Sequence, residues 1–158
     1  MCITTMIAYD QILIPTDGSE TSQRATEHAV SMAARQDATL HALHVVDGGP
    51  DSAPDVGGGL NAADLRERGE ESIEAVRERA ERAGVEVETV VDAGVAYQSI
   101  VEYVDTNDID LVVMGTRGRS GIQRFLLGSV AERVIRTVNA PVMTVKTNFS
   151  SEESPPDR

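Results

Sequence analysis

Five short runs of β-branched and other apolar residues alternate along this chain with stretches of helical periodicity, and that alternation decides what it can fold into. The runs are QILIPT at 11–16, TLHALHVV at 39–46, the alternating Val85, Val87, Thr89 and Val91, then LVVM at 111–114 and VMTVK at 142–146. Between them, Ala25, Ala29, Met32 and Ala33 recur at helical spacing behind an N-cap at Ser19, and Leu65, Ile73, Val76, Ala80 and Ala83 form one stripe across 61–83. Ile100, Val101 and Val104 share one side of a third helix at 97–104, while Val130, Val134, Ile135 and Val138 mark a fourth. Gly84 stops the second helix, and Asn139-Ala140-Pro141 breaks the fourth. A strand followed by a helix rejoins its sheet in parallel through a right-handed crossover, and the helices then cover both faces. The pattern predicts a single-domain α/β fold, a doubly wound open parallel sheet.

At 158 residues the chain is long enough to bury roughly 70% of the surface its unfolded form exposes, so it needs no disulfide or metal to hold together. Its single cysteine, Cys2, excludes an intramolecular disulfide and sits at a terminus unsuited to a catalytic thiol. No apolar run approaches the roughly 20 residues of a membrane span. The start, MCITTMIAYD, has neither the basic flank nor the apolar core of a signal peptide, so a cytoplasmic protein with no membrane partner is expected. The formal net charge is −12, and the cations are thirteen arginines and one lysine, Lys146. Such an acid-rich, lysine-poor surface suits concentrated salt, which points to a halophilic source, and it is a poor match for nucleic-acid phosphates. Residues 1–8 form an N-terminal extension, 9–147 the domain, and the polar 148–158 a tail expected to be disordered.

The chemistry gathers in GTRGRSGIQRFLLGSVAERVIR at 115–136, entered from the fourth apolar run. Gly115, Gly118, Gly121 and Gly128 let the backbone approach a ligand and adopt φ > 0, and the first N–H groups of the following helix have no partners within it. Arg117, Arg119, Arg124, Arg133 and Arg136 face a single acid there, Glu132. Arg117, Arg119 and Arg124 fit either a phosphate contact or a solvated face with ordinary ion pairs. The segment reads as a phosphate cradle. A second loop, at 15–19, follows the first strand, and ligands of open parallel sheets bind beyond the carboxyl ends of the strands where strand order reverses. The two loops border one crevice if the first and fourth strands are neighbours.

The Walker pattern fails for want of a loop lysine, and the dinucleotide fingerprint fails because two residues, not one, separate Gly115 from Gly118. His41 and His44 have the spacing of a metal pair, yet residues three apart on a strand point to opposite faces, so no metal site is expected; His28 stands alone on a helix. Residues 47–59, DGGPDSAPDVGGG, suit either a lid or a surface insertion.

What stands in the loop is Gly115-x2-Gly118-x9-Gly128-Ser129. With ILIPTDGS near the start, the His44-Val45 pair, the strand end DLVVMG and the closing Ala-Pro-Val, the chain resembles the universal stress protein family from about Tyr9 to Lys146. The resemblance implies five strands in the order 3-2-1-4-5, which makes the first and fourth neighbours. It also implies ATP binding, with Mg2+ arriving on the triphosphate. Gly115 and Gly118 would approach ribose and phosphates, and Gly128, Ser129 and the Val130 N–H would hold phosphates. Pro15 and Asp17 would line the adenosine side, the Asp17 carboxylate on ribose hydroxyls, and the Val45 backbone would meet adenine; Met114 and Arg119 complete the set. The family further suggests a homodimer paired through the strand at 142–146, an edge otherwise exposed. The expected function is a nucleotide-dependent stress-response protein with at most slow hydrolysis, since no residue is identifiable as a base beside the γ-phosphate. An ATPase or adenylate-transferring hydrolase on the same sheet, and a structural homodimer with a vestigial site, are the alternatives.

Overall fold

The computed structural model describes residues 6–46, 62–116 and 127–146. Within them the expected alternation appears as β1 (Gln11–Pro15), α1 (Glu20–Gln36), β2 (Thr39–Val46), α2 (Ala62–Arg82), β3 (Val87–Ala93), α3 (Ala96–Thr106), β4 (Leu111–Gly115), α4 (Ser129–Thr137) and β5 (Val142–Val145). All strand pairs are parallel, in the order β3-β2-β1-β4-β5. β1 lies between β2 and β4, with Ile12 opposite both Leu40 and Leu111. The winding reverses at β1 and β4, so their carboxyl ends border the place where a crevice opens.

Strand alternation divides β1 between two cores. Ile12 and Ile14 pack with Ala25, Ala29 and Ala33 of α1 and with Val76 and Ala80 of α2. Leu13 turns the other way, toward Ile100 and Val104 of α3 and Val134 of α4. All three β1 side chains are 0% exposed, and burial on this scale stabilises by about 1.5–3 kcal/mol per side chain. The alanines let α1 lie close to the sheet.

The helix ends follow their local chemistry. Ser19 Oγ accepts the Ser22 N–H at 3.3 Å, Asp37 closes α1 in the left-handed region at φ 54°, and Gly84 does so beyond α2 at φ 71°. Three details depart from the periodicity. Val85 is buried just ahead of β3 instead of within it, and Ala83 is exposed because the chain has left the helix by then. Ile135 is 43% exposed while its neighbour Val134 is buried, since successive helical residues lie about 100° apart and the nine-residue α4 buries one edge only. Among the described residues no helix is long and apolar enough to cross a membrane.

Near the amino end of β1, His41 is 3% exposed and joins two elements to β2. Its Nε2–H donates to Gln11 Oε1 at 2.6 Å, and its Nδ1 accepts the Tyr103 hydroxyl at 2.8 Å, with the Glu88 carboxylate 3.4 Å from the same nitrogen. A neutral imidazole satisfies both partners. Burial lowers the His41 pKa, against the weaker opposing pull of Glu88. The unfolded chain therefore takes up this proton at a higher pH than the folded one. The stability this residue contributes is complete above about pH 6.5 and is lost as pH falls from there toward the lowered folded value. His41→Gln should cost about 1–3 kcal/mol near neutral pH, measured by urea denaturation, because Gln11 and Tyr103 lose their partner. The gap between wild type and variant should narrow on acidification to about pH 5.5; a gap independent of pH would refute the account.

Candidate functional site

The loop after β1 is built from hydroxyl and carboxylate groups that bind the backbone around them. Pro15 closes the strand opposite Leu43, and its missing N–H costs little because it falls on the β4 side, where the pairing with β1 ends at Leu13 and Val112. On the β2 side the Thr16 N–H donates to the Leu43 carbonyl at 2.9 Å. The buried Thr16 hydroxyl accepts the Gly18 N–H and donates to Ser22 Oγ, both at 3.3 Å. Asp17 Oδ1 accepts the Ser19 N–H at 2.9 Å, and Ser19 in turn caps α1. Residues 15–19 are thereby held to the first turn of α1.

The second wall comes from β4 and α4. Gly115 ends β4 opposite Val145, and the Thr116 N–H donates to the Val145 carbonyl at 3.0 Å. The Gly128 N–H returns to the Thr116 carbonyl at 2.6 Å, so the chain that leaves at Thr116 comes back to the same residue. Gly128 is the N-cap of α4 and supplies no side-chain cap, which leaves the first-turn N–H groups to other acceptors. Ser129 is exposed at this helix start, and Val130 is half-buried against the α3–α4 core.

The expected site residues are thus partly assembled. Pro15 and Asp17 stand on one side of the β1–β4 junction, and Gly115, Gly128, Ser129 and Val130 on the other. Val45 is next to last in β2, opposite Asp92. Met114 is 5% exposed and packs into the core under α3 and α4, so its side chain serves the core. Gly118 and Arg119 lie outside the described residues, as do Arg117, Gly121, Arg124, residues 47–59 and the tail at 148–158.

The two described glycines of the motif do not use the φ > 0 freedom open to them. Left-handed glycines among the described residues are Gly18, Gly84 and Gly94, whereas Gly128 has φ −64°. Gly115 is explained by packing instead. A Cβ there would stand 2.8 Å from both Cβ and Oγ1 of Thr21 and 3.0 Å from its backbone carbonyl carbon. The first turn of α1 rests directly on the end of β4.

The remaining polar groups have local roles. Arg133 of α4 lies over the Tyr97 ring of α3 at 4.8 Å, and Arg136 pairs with Glu132 one helical turn before it at 2.8 Å. His41 faces Tyr103 while His44 faces Thr16, on opposite sides of β2, and among the described residues no three His, Cys, Asp or Glu side chains gather to hold a metal ion. Thr16, Thr21 and Ser22 escaped the motif reading, although the hydroxyl-rich run TDGSETS carried the signal.

A hydroxyl-laced loop and a glycine-capped helix start meet at the switch point of this doubly wound sheet, which places the chain among open parallel α/β domains. The chain belongs to the universal stress protein family, whose model matches residues 8–146. Universal stress protein MJ0531 of Methanocaldococcus jannaschii is 43% identical over 140 residues, spanning 87% of this chain and 82% of that protein. The solved structure of MJ0577 from the same organism aligns with a TM-score of 0.77 at 27% identity, covering 91% of this chain and all (100%) of the other. A universal stress protein solved in complex with cAMP gives a TM-score of 0.69 at 29% identity, covering 90% of this chain and 100% of its own.

The contact at Gly115 yields a stability prediction. Gly115→Ala should lower stability by about 1–3 kcal/mol in urea titration, since the neighbouring backbone must shift. Thr21→Ala should not rescue it, because the Thr21 Cβ and backbone carbon that crowd the site remain. Full rescue would show that only the Thr21 hydroxyl and methyl are in the way.

Proposed function

We propose that this universal stress protein binds ATP in the crevice beyond β1 and β4 and uses nucleotide occupancy as a regulatory state, with at most slow hydrolysis. The observation that carries the reading is the β1–β4 pairing, which sets the loop at 15–19 beside the glycine-capped start of α4. The relative solved in complex with cAMP, 29% identical to this chain, supports the reading. Phosphates fall to Gly128, Ser129 and the Val130 N–H, where backbone donors and the helix dipole favour an anion. Gly115 and Pro15 line the ribose and adenosine side, and the Asp17 carboxylate, oriented by the Ser19 N–H, takes the ribose hydroxyls. The Val45 backbone faces adenine, Gly118 and Arg119 belong to the loop between the two walls, and Mg2+ comes with the triphosphate. A few charge-assisted hydrogen bonds of roughly 1.5–3 kcal/mol each, less the cost of association, reach the approximately −8 kcal/mol of a micromolar site.

Gly128→Ala is a usable test because φ −64° and ψ 156° suit alanine, and a thermal melt alongside separates lost affinity from the poorer helix cap. Gly128→Ala and Ser129→Ala should each weaken ATP by about 10-fold in equilibrium titration. Unchanged micromolar binding in both would remove the site assignment, and multiple turnover abolished by Asp17→Asn would make the protein an enzyme.

The same reading includes a homodimer. β5 is the outer strand of the sheet beside β4, and pairing it with its twin would cover its free edge. Light scattering at working salt should give the dimer mass; a monomer mass contradicts this.

A further inference from the structure

We infer that His44 is a positioning residue for the crevice, tying the loop at 15–19 to β2 and α2 and thereby setting where the Asp17 carboxylate points. The inference rests on the nucleotide reading above and assigns a role to a residue that touches no nucleotide in it.

His44 lies on the α2 side of β2, opposite Val91 of β3. Its Nδ1 is 2.8 Å from the Thr16 carbonyl oxygen. A carbonyl only accepts, so Nδ1 carries the hydrogen and donates it. The far side of the ring is seated on Gly69 of α2, where a Cβ would come within 2.4 Å of Cδ2 and 2.9 Å of Nε2. Gly69 stands inside a 21-residue helix, a position where glycine is the poorest ordinary helix former. The ring explains its presence, because any side chain there would displace the imidazole.

The bond matters because of the peptide it fixes. The Thr16 carbonyl belongs to the peptide unit that leads into Asp17, and that unit is planar. The Thr16 N–H and hydroxyl are already engaged with Leu43, Ser22 and Gly18. His44 holds the remaining polar group of the residue, so the orientation of the Thr16–Asp17 peptide is set from β2 and, through Gly69, from α2. Without this donor the peptide gains freedom to rotate, and the Asp17 side chain moves with it. The loss falls on the ribose end of the crevice, not on the phosphate end at α4.

The test compares ATP with 2′,3′-dideoxy-ATP, which lacks the hydroxyls assigned to Asp17, in wild type, His44→Leu, His44→Asn and Gly69→Ala, with thermal melts alongside. Leu and Asn have similar size and both lack the ring, but Asn returns an N–H donor at the reach of Nδ1. Wild type should prefer ATP, and His44→Leu should weaken ATP by about 5–10-fold while leaving the dideoxy compound nearly unchanged, so that the preference collapses. His44→Asn should recover the preference to within about 3-fold, a return that a purely structural role would not produce. Gly69→Ala should behave like His44→Leu, and it carries the comparison if His44→Leu does not fold. Retention of the wild-type preference in His44→Leu, or equal loss in the Leu and Asn variants, overturns the inference and leaves the nucleotide reading standing. A wild-type protein that binds neither compound overturns the nucleotide reading, and this inference with it.

Discussion

The pairing of β1 with β4 is the constraint on which the rest depends. It is secured at the amino end of the strands by one carboxylate. Asp110 Oδ2 accepts the Asp10 N–H at 2.9 Å, and its two oxygens share the Gln11 N–H at 3.2 and 3.3 Å. The Asp110 N–H donates back to the Gln11 carbonyl at 3.0 Å. Charge-assisted bonds of this kind are the stronger ones, and here they hold the register in which the apolar residues of the two strands meet. With that register set, Ile12 and Leu13 find Leu111 and Val112, and the strand ends carry their loops to one place.

The crevice wall shows what a buried polar network contributes. Thr16, Thr21, Ser22 and Thr26 are all buried at the start of α1. Ser22 Oγ donates to the Ser19 carbonyl at 2.9 Å and Thr26 Oγ1 to the Ser22 carbonyl at 2.8 Å, while Ser19 and Thr21 hydroxyls meet at 3.2 Å. Such hydroxyls are costly if left unpaired and rigidifying when satisfied. The loop is thus held in one geometry by its own hydroxyl groups.

Much of the fold was legible because strands and helices announce themselves by local period. The ranges of α1 and β2 follow directly from ETSQRATEHAVSMAARQ and TLHALHVV. The strand order was not a matter of spacing and came only through family resemblance, since any permutation buries the same apolar runs. At the site, Pro15, Asp17, Gly128 and Ser129 stood out by residue type at the ends of elements. The reason for Gly115 did not, because Thr21 lies 94 positions away in the numbering and reaches it only through packing. The His44–Gly69 contact was hidden for the same reason: a lone glycine in a helical stripe signals a close approach without saying to what. Met114 and Ile135 show the converse, as a residue of apolar type belongs to a strand or helix without its exposure being fixed by that fact.

The bond from the Gly128 N–H to the Thr116 carbonyl has an evolutionary meaning. It brings the two anchors, Thr116 and Gly128, to a single point of the scaffold. The cost of closing the chain between them grows only slowly with length, about 0.6 kcal/mol per doubling. Closure alone therefore sets little penalty on a change of length between the two anchors. The length of chain between the anchors and the fold of the sheet are in that respect separable traits, and selection can revise the first while leaving the second untouched.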